Sequence, residues 1–246
     1  MIEHFFKPVF YTPLYNALAF LIQHIPGADL GIAVIILTIV VKLVIFPLNV
    51  KAIKTQVKLK LLEPELEAIK KKYPDKQEQA KQTMAFYQKN NINPFGGILP
   101  LLIQFPIVLS LYSIFRSSGL PTINAALIYS FINAPTLVNV HFLGIVNIVG
   151  KSVILAILVA ITQIIQVHYA VPKVKKPEGE PTFKDDLARS MNLQMRFVLP
   201  LITAYIAYIT SGAVALYLIT SNLFAIGQEI YVRKKIRNPQ QAHLVK

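Results

Sequence analysis

Long apolar runs alternate with polar segments along this chain. A helix needs roughly 20 predominantly apolar residues to cross the hydrocarbon core of a bilayer. The runs lie at 30–48, 96–115, 152–171 and 197–232. The last is too long for one crossing, and Ser211-Gly212 interrupts it, which favours two helices joined by a tight turn. The pattern therefore predicts an all-α polytopic membrane protein with five transmembrane helices.

The same pattern divides the whole chain into segments. The predicted transmembrane helices cover 29–50, 96–116, 152–171, 195–210 and 211–232. Between and around them lie an N-terminal segment (1–28), a helical hairpin (51–95), a loop (117–151), a linker (172–194) and a basic tail (233–246). The linker is rich in proline, glycine and charge, which is typical of flexible connections.

A short apolar stretch at 13–25 precedes the first long run. It is too short to span comfortably, and Asn16 and Gln23, seven residues apart, share one helical face. This predicts a helix lying in the membrane interface, with a frayed N-terminal extension as the alternative. Because no basic region with a small-residue cleavage site precedes it, we expect no cleavable signal peptide.

Basic residues cluster on one predicted side of the membrane. Segment 51–95 alone carries ten lysines, and the linker and tail add most of the others. Lysine and arginine mark cytoplasmic loops, so the N-terminus is predicted outside and the C-terminus in the cytoplasm. Because the net charge of +13 is spread over these cytoplasmic segments, it predicts contact with anionic lipid headgroups rather than sequence-specific nucleic acid. Ribosomal RNA stays open as a second partner.

The hairpin prediction rests on two apolar seams. The first is Leu59, Leu62, Leu66, Ile69 and Tyr73, and the second is Ala80, Met84 and Tyr87. Pro74-Asp75 separates them, which predicts an antiparallel pair of helices. Such a short pair could dock partners or gate access, or it could be a solvated loop that only connects spans.

Polar side chains inside the predicted spans are the candidate functional groups. They are Lys42, Thr38, Gln104, Gln163, Gln166, Tyr217, Ser221 and Asn222. A lysine at the centre of a span costs about 2.5–3.5 kcal/mol on insertion scales. One cation with neutral polar groups on four spans favours a shared hydrated groove. Two alternatives stay open: Lys42 could snorkel to headgroups, and the neutral groups could only join helices.

The composition argues against an enzyme. The chain has no cysteine, its five histidines are scattered, and no carboxylate lies deep in a predicted span. We therefore expect no catalytic residues, no metal site and no cofactor. An anion channel with Lys42 as its selectivity charge, and a structural membrane subunit, remain alternatives.

Four stretches carry a family resemblance. They are IILTIVVKLVIFPL (35–48), NPFGGILPLLIQFPIVLSLY (93–112), LAILVAITQIIQ (155–166) and SGAVALYLITSNLFAI (211–226). In this order and spacing they resemble the YidC/Oxa/Alb membrane protein insertase family, as a short bacterial member with the five-span core. The second stretch is the most specific, with its Asn-Pro, paired glycines and Pro-Leu-Leu-Ile-Gln core.

The resemblance implies a fold and a function. Five helices would enclose a hydrophilic groove that is closed toward the outside and carries one positive charge. Lys42 stands where the family has arginine, Thr38 and Tyr217 match the family pattern, and Leu218 replaces a frequent aromatic residue. The implied activity is insertion and folding of integral membrane proteins in the bacterial inner membrane, without nucleotide hydrolysis. The implied partners are nascent membrane proteins and the bilayer, with the ribosome, the signal recognition pathway and the Sec translocon as candidates.

Overall fold

The structure is a computed structural model that describes residues 6–93, 99–117, 122–171 and 190–237. It is mostly helical. The helices are α1 (Thr12–His24), α2 (Leu30–Leu61), α3 (Glu63–Lys72), α4 (Lys76–Lys89), α5 (Leu99–Ser117), α6 (Val153–Ala170), α7 (Leu199–Ile209) and α8 (Gly212–Arg237). Strands β1 (His141–Phe142) and β2 (Val146–Asn147) pair antiparallel. Short π-helical turns, Lys7–Tyr11 and Gln194–Val198, lead into α1 and α7.

Several sequence interpretations fall outside the described residues. They concern the first five residues, the Pro-Phe-Gly-Gly part of the second motif, most of the predicted linker and the end of the basic tail. The corresponding ranges are 1–5, 94–98, 172–189 and 238–246.

Three helices in the described part of the chain are long and apolar enough to cross a membrane. They are α2, α6 and the Gly212–Ile236 part of α8. The apolar part of α5 is shorter, Leu102–Phe115, and α7 has 11 residues. With 32 residues, α2 is about 48 Å long at 1.5 Å per residue, well beyond a hydrocarbon core of about 30 Å. It therefore runs without interruption from the predicted first span into the predicted hairpin segment.

The chain divides into two compact units. Unit 1 comprises Met1–Leu43 and Phe105–Gly227, and unit 2 comprises Val44–Gln104 and Gln228–Lys246. The largest fully buried side chains all belong to unit 1, and all of them except Asn16 are apolar or aromatic. They include Tyr15, Leu18, Ile22, Leu30, Leu111, Ile114, Ile148, Val159 and Tyr217.

Helix α1 is an ordered part of unit 1, so the frayed alternative is wrong. The two polar residues predicted to share a face of α1 differ in exposure, because Asn16 is buried while Gln23 is exposed. The Asn16 Nδ2 atom donates to the Leu127 carbonyl at 2.8 Å, and its Oδ1 atom accepts from the Tyr129 amide at 2.7 Å. A buried amide needs such partners, and here they tie α1 to a distant loop.

The segment 139–152, called here the junction segment, holds the beginning of α2. The buried Asp29 carboxylate caps the helix, since Oδ1 accepts from the Gly31 and Ile32 amides at 2.8 and 3.0 Å. Its Oδ2 atom accepts from the Leu143 amide at 2.9 Å. One carboxylate thus satisfies two of the orphan donors at the helix start and a donor of the β-hairpin.

The junction segment also holds the beginnings of α8 and α6. The Gly212 amide donates to the Gly150 carbonyl at 2.9 Å, and the Ala213 amide donates to the Ile148 carbonyl at 2.8 Å. A Cβ on Gly212 would lie 2.9 Å from the Ile148 Cα atom, so only glycine allows this approach. Ser152, at the end of the segment, caps α6. The three membrane-length helices therefore start at one place.

Helix α7 packs against α6 in the opposite direction. The Arg196 Nη2 atom, just before α7, donates to the Val171 carbonyl at the end of α6, at 2.8 Å. At the other end, the Lys151 ammonium lies 5.8 Å from the centroid of the Tyr208 ring. The start of each helix therefore lies beside the end of the other.

Unit 2 contains an antiparallel pair formed by α3 and α4. Asp75 caps α4 by accepting from the Glu78 amide at 2.9 Å, and the Lys58 ammonium donates to the Asn90 carbonyl at 2.9 Å where the chain returns. The first predicted seam is half-buried.

The second predicted seam of the hairpin is wrong at two of its three positions. Ala80 and Met84 are exposed, whereas Tyr87 is half-buried, as are Gln79, Thr83 and Phe86. The physical reason lies at the turn. The Gln79 side chain donates to the Tyr73 carbonyl at 3.3 Å, which turns its face toward α3.

Candidate functional site

The most unusual group in the described residues is the Lys42 side chain in α2. It is 8% exposed although it lies within an apolar helix, whereas Val40 and Leu43 on either side are 49% and 56% exposed. Apolar side chains exposed on a membrane-length helix suit contact with lipid, and a buried cation suits the protein side. The burial of Lys42 therefore places its side chain on the protein side of α2, which is contrary to snorkelling along the lipid surface.

Thr38 lies one turn before Lys42 and is 1% exposed. Its Oγ1 atom donates to the Val34 carbonyl at 2.6 Å, one turn earlier in the same helix. The hydroxyl proton of Thr38 is used in this local hydrogen bond, as is common for threonine in apolar helices. Thr38 can therefore offer a ligand only an acceptor.

The predicted site residues of α8 are all buried. Tyr217 and Ser221 are four residues apart and share one face, and Asn222 follows directly. The Asn222 Nδ2 atom donates to the Thr162 Oγ1 atom of α6 at 3.1 Å, and that hydroxyl donates in turn to the Leu158 carbonyl at 2.8 Å. Asn222 thus joins two helices, which is the structural role considered for these groups.

Thr162 was not predicted from the sequence, although a signal for it was present. It lies seven residues after Leu155 and three after Val159, which are both buried on the same stripe of α6. A single hydroxyl on the buried stripe of an apolar helix indicates a partner on a neighbouring helix.

The Thr162–Asn222 bond should show coupling in a double-mutant cycle. We expect Thr162→Val and Asn222→Leu to be coupled by about 0.6–1.7 kcal/mol, between the mean and the maximum found for interhelical hydrogen bonds in membranes. Thermal unfolding of the two single variants and the double variant in detergent measures this coupling. Additive effects of the two substitutions would contradict the bond.

The predicted glutamines lie in less enclosed positions. Gln163 and Gln166 are half-buried, and the Gln163 Nε2 atom donates to the Gln166 Oε1 atom at 3.2 Å on the same helix. Gln104 of α5 is also half-buried and belongs to unit 2, whereas the other predicted site residues belong to unit 1.

Unit 2 contains a buried polar cluster around Gln228, a residue that sequence reasoning missed. The Gln228 side chain accepts from the Asn49 Nδ2 atom at 3.3 Å and donates to the Phe46 carbonyl at 3.2 Å, which ties α8 to α2. The next residue, Glu229, is buried and pairs with Arg233 at 2.6 Å. In the described ranges, acidic and histidine side chains form no group of three that could hold a metal ion.

Comparison with known proteins shows which family this chain resembles. Residues 21–240 match the sequence profile of the family described as 60Kd inner membrane protein. The membrane protein insertase YidC of Clostridium tetani is 31% identical over 210 residues, covering 85% of this chain and 84% of that relative. The protein of the same name from Fusobacterium nucleatum is 31% identical over 233 residues, covering 92% and 97%.

A solved structure shares the fold. A crystal structure of an active YidC insertase, with its first transmembrane domain resolved, matches with a TM-score of 0.52 at 19% identity. The match covers 96% of this chain and 47% of that protein, so this chain spans about half of its length.

Proposed function

Because the chain belongs to the 60Kd inner membrane protein family, we propose that it is a membrane protein insertase that also helps its substrates to fold. It is a multi-pass protein of the bacterial inner membrane. Two relatives that carry the name insertase match most of this chain and most of their own length. The proposed activity requires no nucleotide hydrolysis. Its partners are nascent membrane proteins and lipid, with the ribosome, the signal recognition pathway and the Sec translocon as further candidates.

The proposed topology has five spans, with the N-terminus outside and the C-terminus in the cytoplasm. Its support is the common starting place of α2, α6 and α8 at the junction segment. Helices that start at one place and each cross the membrane are parallel, so the chain has to return twice between them. Helix α5 and the antiparallel α7 are the candidates for the returns. Lysine-rich segments on one side set the direction.

The buried ammonium of Lys42 is the observation on which the proposed mechanism rests. A cation within a membrane-spanning segment costs a few kcal/mol, and such residues commonly mark substrate pathways. We propose that Lys42 attracts the acidic or polar tail of a substrate into a hydrated groove in the inner leaflet. Thr38, Gln163, Gln166, Tyr217 and Ser221 would line this groove, and Asn222 would hold its helices together.

The groove lowers the barrier to moving a short polar tail across the membrane. A charged group entering bare hydrocarbon is costly, and water beside a fixed cation reduces that cost. The apolar helix of the substrate then leaves sideways into lipid. Its transfer supplies the driving force, about 25 cal/mol for each Å² of apolar surface removed from water.

Reconstitution tests the proposed activity. The full chain in proteoliposomes should insert a single-span substrate with an acidic tail, measured by protection of the tail from added protease. Chloride flux is measured in the same vesicles, because Lys42 as a selectivity charge would give an anion channel instead. Insertion without flux supports the insertase. Flux without insertion would favour the channel, and the absence of both would favour a structural subunit.

The α3–α4 hairpin should move during insertion. Because the chain has no cysteine, Pro74→Cys and Lys184→Cys place two unique thiols at the exposed hairpin turn and in the predicted linker. A short bifunctional cross-linker between them should slow insertion several-fold. The control is the same variant treated with a monofunctional reagent. Insertion at the full rate after cross-linking would contradict this movement and indicate that the hairpin only connects two spans.

A further inference from the structure

Unit 1 contains an apolar groove that the proposed insertase mechanism does not use. Its volume is about 350 Å³, and it lies between α1, α2 and the loop around residues 129–132. Phe20 and Leu21 contribute from α1, Leu37 and Val40 from α2, and Phe131 from the loop. The Phe131 side chain is 80% exposed at its edge.

The lining of this groove is suited to hydrocarbon. None of its lining residues, all of them described, carries a charge. The polar Asn16 is already committed, since its Nδ2 atom donates to the Thr12 and Leu127 carbonyls and its Oδ1 atom accepts from the Tyr129 amide. The Tyr129 ring stacks on Phe131 with 5.3 Å between centroids. An extended peptide would find too few partners here for its backbone amides.

The size of the groove suits part of a lipid chain. Its volume is about twice that of the roughly 150 Å³ apolar cavity that holds one benzene molecule, so it accommodates about a dozen carbon atoms. That matches much of a phospholipid acyl chain.

The groove is continuous with the lipid-facing surface of α2. Val40 lines it and is half-exposed, and Leu43, three residues later on the same side of the helix, is exposed as well. In an inner-membrane protein these side chains contact acyl chains. We propose that the groove binds one acyl chain of a membrane phospholipid, which fills the space between α1 and α2. Recognition is by shape and apolar contact, without selection of the headgroup.

Photo-cross-linking tests this proposal in the full chain. The protein is reconstituted with phosphatidylethanolamine or phosphatidylglycerol that carries a diazirine in the acyl chain, and adducts are mapped by mass spectrometry. Adducts should be enriched at least five-fold on the groove residues over exposed side chains of α6 such as Ile161. The two lipids should give yields within two-fold of each other. Even labelling of all lipid-exposed residues would overturn the proposal, and so would a five-fold headgroup preference.

A variant that fills the groove sharpens the test. Ala17→Trp should reduce groove adducts at least five-fold and leave adducts on α6 unchanged. The matched control, Ile157→Trp on the exposed face of α6, should leave groove adducts within two-fold. Unchanged groove adducts in an Ala17→Trp protein that keeps its thermal midpoint would overturn the proposal. Cross-links from the groove to nascent chains in place of lipid would assign it to substrate instead.

Discussion

Lys42→Glu should lower the insertion of a single-span substrate with an acidic tail at least ten-fold. The substitution replaces attraction between the groove and the tail by repulsion. A net change of only about 1.4 kcal/mol in the barrier gives a factor of ten, and the buried position of Lys42 weakens screening by salt. The measurement is the initial rate of tail protection in proteoliposomes without an imposed membrane potential.

Three further variants separate charge from shape. Lys42→Arg keeps the charge and should retain activity within about three-fold, and Lys42→Ala should fall between arginine and glutamate. Lys54→Glu makes the same change of charge three turns further along α2, outside the apolar run, and should change the rate less than two-fold. Equal rates for Lys42→Ala, Lys42→Arg and Lys42→Glu would remove the electrostatic role.

Asp29→Ala should lower the free energy of unfolding by about 2–4 kcal/mol. It leaves the Gly31, Ile32 and Leu143 amides without their acceptor. Loss of a helix cap costs about 0.5–2 kcal/mol and a buried amide without a partner costs about 1–3 kcal/mol. The expected total is smaller than the sum of these costs, because water can hydrogen-bond to some of the amides that lose their acceptor. Thermal and chemical unfolding in detergent measure the change.

Two control variants locate this effect. Asp29→Asn keeps one acceptor oxygen with nearly the same shape and should lose about half as much stability. Asp75→Ala removes the exposed cap of α4 and should cost about 1 kcal/mol. If Asp29→Ala destabilises no more than Asp75→Ala, the Asp29 contacts do not anchor the junction segment.

The helices were predictable because the membrane imposes a simple rule on sequence. Hydrocarbon requires every backbone amide to be bonded within the helix, so length and apolarity alone indicate α2, α6 and α8. The pattern did not indicate that α2 continues to Leu61. Near Lys51 the residues change from apolar to charged, so the helix passes from a lipid to an aqueous environment. Its backbone hydrogen bonds continue unchanged across this point.

The ties at the junction segment were not predictable. They pair Asp29 with Leu143 and Gly212 with Gly150, residues far apart in sequence, and most of the partners are backbone atoms that any residue carries. Two residues of the predicted face of α4 were wrong for a related reason. The bond from Gln79 to the Tyr73 carbonyl holds a polar side chain on the half-buried face, and apolar periodicity does not register such a bond.

The candidate site was predictable in part. A cation inside an apolar run stands out, and the structure buries the Lys42 side chain, while its role in a groove stays a prediction. The sequence indicated Asn222 as a polar group without indicating its partner, because Thr162 lies on another helix. Gln228 escaped notice since it falls near the end of the last run, where a polar residue is ordinary.

An exchange of charge between protein and substrate tests the central claim most directly. The Lys42→Glu protein is assayed with two substrates that differ only in an acidic or a basic tail, again without a membrane potential. We predict that the variant inserts the basic-tailed substrate faster than the acidic-tailed one, and that the unaltered protein shows the opposite order. A gain for the basic tail cannot come from misfolding. The same order of rates for both proteins would contradict an attraction between Lys42 and the substrate tail.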